Sequence, residues 1–158
     1  MRRILLLLLI IVSAGSLSAN QSSGALKRYA MFVGSNDGGQ ERVRLRYAES
    51  DARAMAEVMQ ELGGVQFNDS LVLLAPTSYD LETAFLMMHR LIHQAHADAR
   101  RVEFLFYYSG HSDEKGLLLG RERVAYTDLK TSIVDMGADV NIAILDSCFS
   151  GAFTRLKG

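Results

Sequence analysis

Arg101–Tyr108 (RVEFLFYY) and Val140–Leu145 (VNIAIL) are the two stretches on which the fold turns. Each is a short, largely apolar run rich in β-branched or aromatic residues, which is the pattern of a strand. Arg28–Gly34 (RYAMFVG) and Ser70–Ala75 (SLVLLA) read the same way, and Pro76 stops the second. Helical stretches separate these runs. Glu49–Leu62 spaces Ala52, Met55, Ala56, Met59 and Leu62 for one helix face and ends at Gly63 and Gly64. A longer helix is expected from Leu81 to about Ala97, capped by Asp80, with Thr77 and Ser78 as rival starts. Its stripe is Leu81, Ala84, Phe85, Met88, Leu91, Ile92 and Ala95. Gly116–Gly120 (GLLLG) reads as a strand of a hairpin, and Tyr126–Met136 as a short helix with Leu129, Ile133 and Met136 inward. Strand and helix alternate at crossover lengths, so the class is α/β, a mostly parallel sheet with helices on both faces.

Composition narrows the function. The 158 residues suit one domain, with 17 Lys and Arg against 18 Asp and Glu. A net charge of −1 shows no basic excess for neutralising phosphates, so no nucleic-acid partner is expected. With 49% apolar and 22% charged residues the chain is far from a disordered composition, and a single Cys excludes a disulfide-stapled scaffold and a multi-Cys zinc module.

Met1–Ala19 (MRRILLLLLIIVSAGSLSA) reads as a secretory signal peptide, with two arginines, an apolar run from Ile4 to Val12, and small residues before an expected cleavage after Ala19. The run is well short of the roughly 20 residues that span a bilayer. Residues 20–27 then form a linker and 28–158 the domain. The mature protein is expected to be secreted or periplasmic, with no membrane partner beyond the leader. In that oxidising compartment an unpaired Cys148 needs a reason. It is either a buried small hydrophobe or a nucleophile.

Sites in open parallel sheets form beyond the carboxyl ends of strands. Ser109, Gly110 and His111 follow one strand, and Asp146, Ser147 and Cys148 follow another. If the two strands are neighbours, the groups start within roughly 5 to 10 Å, in reach of a Cys–His dyad. An adjacent imidazolium lowers a thiol's pKa, giving an attacking sulfur near neutral pH and a proton for the leaving amine.

Phe106–Ser112 (FYYSGHS) and Ile144–Gly151 (ILDSCFSG) resemble the His and Cys motifs of the caspase-like fold, closer to metacaspases and their bacterial relatives than to animal caspases. The resemblance runs from Lys27 to the end and takes in Arg46–Met55 (RYAESDARAM). It implies a caspase-like three-layer sandwich and a cysteine endopeptidase acting on polypeptides, with His111 as general acid and base and Cys148 as nucleophile. By the same resemblance the backbone N–H groups of Cys148 and Ser112 form the oxyanion hole. Asp146, Asp51 and Ser109 would line a pocket selecting Arg or Lys before the scissile bond, where carboxylates gain charge-assisted hydrogen bonds.

The chain also departs from that pattern. Ser112 stands where the family usually has Gly, Phe149 where metacaspases often have His, and His111 and Cys148 are 37 positions apart, closer than the roughly 50 of caspases. The family fold continues with two further strands, so the fold is expected to be incomplete at the C-terminus and the chain a fragment. No cofactor and no metal site are expected. His89, His93 and His96 share a helix but lack the Glu of a zincin helix, and Asp113 and Glu114, which could bind the calcium some metacaspases require, read as a solvated hairpin tip. Ser35–Gln40 reads as an ordinary turn, Met87 and Met88 as core, and Asp146 alternatively as a cap for the Cys148 turn. A catalytically silent caspase-like interaction or scaffold module is the competing function. A flavodoxin-like ligand binder with an incidental Cys148 is a third.

Overall fold

The computed structural model describes residues 26–99, 101–148 and 151–154. The expected signal peptide lies outside the described residues, as does most of the linker. Strand β1 spans Leu26–Ser35, helix α1 Ala48–Glu61, β2 Ser70–Leu74, α2 Ser78–Ala95 and β3 Arg101–Gly110. A hairpin follows, β4 Gly116–Leu119 and β5 Glu122–Ala125, then α3 Tyr126–Val134, β6 Val140–Asp146 and a single turn, α4, Gly151–Thr154. The main sheet has the order β2-β1-β3-β6 with every pairing parallel, and β4 and β5 form a separate antiparallel pair. This is the expected α/β architecture, consistent with a caspase-like fold.

Strand alternation divides the core in two. Tyr29, Met31 and Val33 of β1 and Val102, Phe104, Phe106 and Tyr108 of β3 face one way, where they meet the α2 stripe and Leu129, Ile133 and Met136 from α3 and its C-terminal end. Ala30 and Phe32 of β1 and Leu105 and Tyr107 of β3 face the other way, onto Ala52 and Ala56 of α1. Both central strands are therefore buried on both sides. That is why they read as continuous apolar runs.

Several local readings change. The first strand begins at Leu26, two residues before the pattern suggests, because Leu26 and Lys27 already pair with Arg101 and Val102. Asp80 is the third residue of α2 and Thr77 is its cap. The Thr77 hydroxyl accepts the Asp80 N–H at 3.1 Å, and the Asp80 carboxylate accepts the Thr77 N–H at 2.9 Å, a reciprocal capping box. Leu62 is 84% exposed, because α1 stops at Glu61 and turns it outward. Met88 is core, but Met87, one position round the helix, is 51% exposed.

Gly34 sets the spacing between α1 and the sheet. A Cβ there would lie 2.6 Å from the Ala48 carbonyl and 2.7 Å from the Glu49 Cα, both main chain, so a side chain forces the helix off the strand. Gly34→Ala is expected to cost about 1–3 kcal/mol, as overpacking does, and to lower the urea midpoint accordingly. Thr77→Ala removes the N-terminal cap of α2 and is expected to cost about 1 kcal/mol in the same measurement.

Candidate active site

Parallel register brings three strand ends level. Gly34 of β1 lies opposite Ser109 of β3, and Ser109 lies opposite Asp146 of β6. His111 and Cys148 each follow two residues beyond the Ser109–Asp146 pair, so both leave the same edge of adjacent strands. Cys148 is a free, exposed thiol, which removes the buried-hydrophobe reading of this residue.

His111 is held by the loop between β1 and α1. Its Nε2 lies 2.9 Å from the Val43 carbonyl. A carbonyl can only accept, so Nε2 carries the proton and Nδ1 is the basic nitrogen of the neutral ring. Gly38 of the same loop lies against the imidazole, where a Cβ would come within 2.4 Å of Cδ2. The loop is itself tied down by Leu45 N–H to the Asn36 carbonyl at 2.8 Å and Gly120 N–H to the Asp37 carbonyl at 3.0 Å. The stretch read as an ordinary turn is thus the wall behind the histidine.

Ser112 is fully buried. Its hydroxyl lies 3.0 Å from the Ser147 hydroxyl and hydrogen-bonds the Cys148 carbonyl, so a side chain that glycine lacks ties the His loop to the Cys loop.

A second group gathers on the α1 face. Tyr107, Ser109 and Asp146 alternate onto that face, and the Tyr107 hydroxyl approaches Asp146 Oδ2 at 3.4 Å. Burial, then the negative charge of Asp146, pushes the Tyr107 phenol above its ordinary value; a hydrogen bond with Ser109 opposes this, and Asp51 of α1 adds to the rise. Asp51, Ser109 and Asp146 therefore all act on one phenol. Both carboxylates are exposed and Ser109 is buried.

Asp113 is not at a solvated tip. It is buried, and its carboxylate accepts the Lys115 and Gly116 N–H groups at 2.9 and 3.0 Å and the Arg123 guanidinium, with Arg123 Nε at 3.1 Å. Burial alone raises this carboxyl, but the Arg123 hydrogen bonds, the two amides and the Arg123 charge outweigh it and hold the group below its ordinary value. Of the three histidines, His96 Nε2 is hydrogen-bonded to the Gly137 carbonyl at 2.8 Å, and the His89 and His93 rings lie 6.2 Å apart. Among the described residues no three His, Cys, Asp or Glu side chains converge as metal ligands, and no helix is long and apolar enough to cross a membrane.

The Val43 carbonyl, Gly38 and Tyr107 escaped the sequence reading. A main-chain acceptor leaves no side-chain signature, and Tyr107 is hidden inside an apolar strand. Only the glycine-rich loop after β1 offered a signal.

The caspase-domain family model matches residues 27–158. The chain belongs to the caspase-domain family, which supports a cysteine peptidase domain in general terms, and its α/β fold is consistent with that membership. No curated protein matches the chain.

A depressed folded-state carboxyl stabilises above its unfolded pKa, near 4, and loses that contribution as pH falls through its folded value. Asp113→Asn is accordingly expected to cost about 1–3 kcal/mol at pH 7, with the deficit shrinking below about pH 4 in urea titrations. An unchanged deficit at acid pH would assign the loss to shape rather than charge.

Proposed function

We propose that the protein is a cysteine endopeptidase working through a His111–Cys148 dyad and cleaving after Arg or Lys. One observation carries the reading: β3 and β6 are paired in the register that sets Ser109 opposite Asp146, so the imidazole and thiol loops share one rim. The Cys148 thiolate attacks the scissile carbonyl carbon, a C–S bond forms, and the carbonyl electron pair moves to oxygen. The C–N bond then breaks as the His111 imidazolium gives its proton to the leaving amine. His111 next takes a proton from water, which attacks the thioester and frees Cys148. The Cys148 and Ser112 N–H groups are the proposed oxyanion donors. The Val43 carbonyl supports this chemistry by holding Nε2 protonated and leaving Nδ1 as base.

Basic-residue preference is supported by Asp51 and Asp146, two exposed carboxylates acting on the same buried Tyr107 hydroxyl. A guanidinium or ammonium between them gains charge-assisted hydrogen bonds that an acidic side chain cannot make. The leader supports action outside the cytoplasm, in the periplasm or secreted. The chemistry needs no cofactor. One observation favours the silent scaffold instead: the Ser112 hydroxyl grips the Cys148 carbonyl and buries Ser112.

Cys148→Ala is expected to abolish cleavage of an Arg-containing fluorogenic peptide, and iodoacetamide to modify the wild-type thiol much faster near neutral pH than a model thiol. Modification at the rate of the unfolded chain would favour the scaffold. Asp146→Asn is expected to lower kcat/KM for the Arg peptide about 10- to 100-fold, the loss of a charge-assisted contact of about 1.5–3 kcal/mol. Equal loss on an uncharged peptide would remove Asp146 from selection.

A further inference from the structure

Tyr108 sits in the most apolar part of the core, fully buried beside Phe106, Leu117 and Tyr126, where phenylalanine would fill nearly the same volume. Its hydroxyl is a costly group to bury and needs a partner. It has two: the His111 carbonyl at 2.7 Å and the Leu118 carbonyl of β4 at 2.8 Å, sharing one proton. The His111 carbonyl also accepts the Leu118 N–H at 2.9 Å. Both lone pairs of that oxygen are then engaged, which fixes the plane of the peptide after His111.

Gly110 makes the arrangement possible. It lies two residues after Tyr108 on the same face of β3, and a Cβ there would come within 2.4 Å of the phenol oxygen. The hydroxyl therefore lies over glycine to reach the next carbonyl. Together with the Val43 carbonyl on Nε2 and Gly38 against the ring, this anchors the histidine by its main chain, by one ring nitrogen and by one edge.

We propose that Tyr108 is a positioning residue for the His111 base: its hydroxyl locks the backbone from which the imidazole hangs to the β4–β5 hairpin. It touches neither substrate nor thiol. Burial pushes its phenol far above the ordinary range, so it remains a donor at every pH at which the dyad works. The proposal rests on the dyad reading above.

The test is Tyr108→Phe, with Gly110→Ala as a second variant that keeps the phenol but displaces its oxygen, and Ile133→Val as a control that thins the same core on α3. Folding of each is checked by circular dichroism. The readouts are the rate of Cys148 alkylation by iodoacetamide near neutral pH, against a model peptide thiol, and the split between kcat and KM on an Arg fluorogenic peptide. In the wild type Cys148 is expected to be alkylated much faster than a model peptide thiol. In Tyr108→Phe and Gly110→Ala that rate is expected to fall toward the model thiol's, with kcat falling about 10-fold or more and KM within about twofold. Ile133→Val is expected to match the wild type in both.

A folded Tyr108→Phe protein with the wild-type alkylation rate and kcat overturns the positioning role while leaving the dyad intact. If Tyr108→Phe does not fold, Gly110→Ala decides by the same criteria. A wild-type thiol alkylated no faster than the model peptide thiol overturns the dyad itself, and the role of Tyr108 with it.

Discussion

The register between β3 and β6 is the constraint from which the site follows. Side chains alternate along a strand, so moving β6 by one residue would exchange its faces. Ala143 and Leu145 would leave the cluster beneath α2 and α3, where they now pack, and Ile142 and Ile144 would take their places. Asp146 would move to the face opposite Tyr107. The register that places Ala143 and Leu145 beneath α2 and α3, and leaves Ile142 and Ile144 exposed, also decides which side of the sheet carries the carboxylate. Core packing and site geometry are one decision here.

The same coupling runs through β1. Gly34 ends the row of β1 residues facing α1, and its lack of a side chain lets the first turn of that helix lie directly against the sheet. Asp51, one turn in from the start of α1, is brought near enough for its charge to act on the Tyr107 phenol. Three elements distant in the chain thus supply one polar group: α1 gives Asp51, β3 gives Tyr107 and Ser109, and β6 gives Asp146. The two exposed carboxylates keep water around them and avoid the penalty that two buried charges of one sign would meet.

Much of this was legible in the residues. Four apolar runs at crossover spacing dictated a parallel sheet, and polar tripeptides after Tyr108 and Leu145 marked the edge where chemistry collects. The helix faces followed from Ala84, Phe85, Met88 and Ile92 on α2 and from Leu129 and Ile133 on α3. What stayed hidden depends on neighbours distant in sequence. Met87 and Met88 are chemically identical, and only the position of the sheet tells which is covered. Asp113 looked like a tip residue because nothing local discloses Arg123 reaching back across the hairpin. Thr77 and Asp80 were rival caps because each supplies half of one reciprocal pair. The Val43 carbonyl belongs to the main chain, and any residue at that position would present it.

Ser112 shows why a motif departure must be read in its surroundings. Glycine at this position would leave the loop after His111 without a side-chain tie to the Cys148 loop, whereas serine places a hydroxyl between two loops whose strands are already paired. The His loop is then fixed from three directions: Val43 on the ring, Tyr108 and Leu118 on the main chain, and Ser112 toward Cys148. Such a loop has few alternative arrangements, and a base held in one geometry loses little entropy when the reacting atoms align. The same rigidity has a cost if the tie to Cys148 must open for a substrate carbonyl to enter. In the proposed mechanism Ser112 therefore couples the loop that carries the base to the loop that carries the nucleophile, so that neither moves without the other.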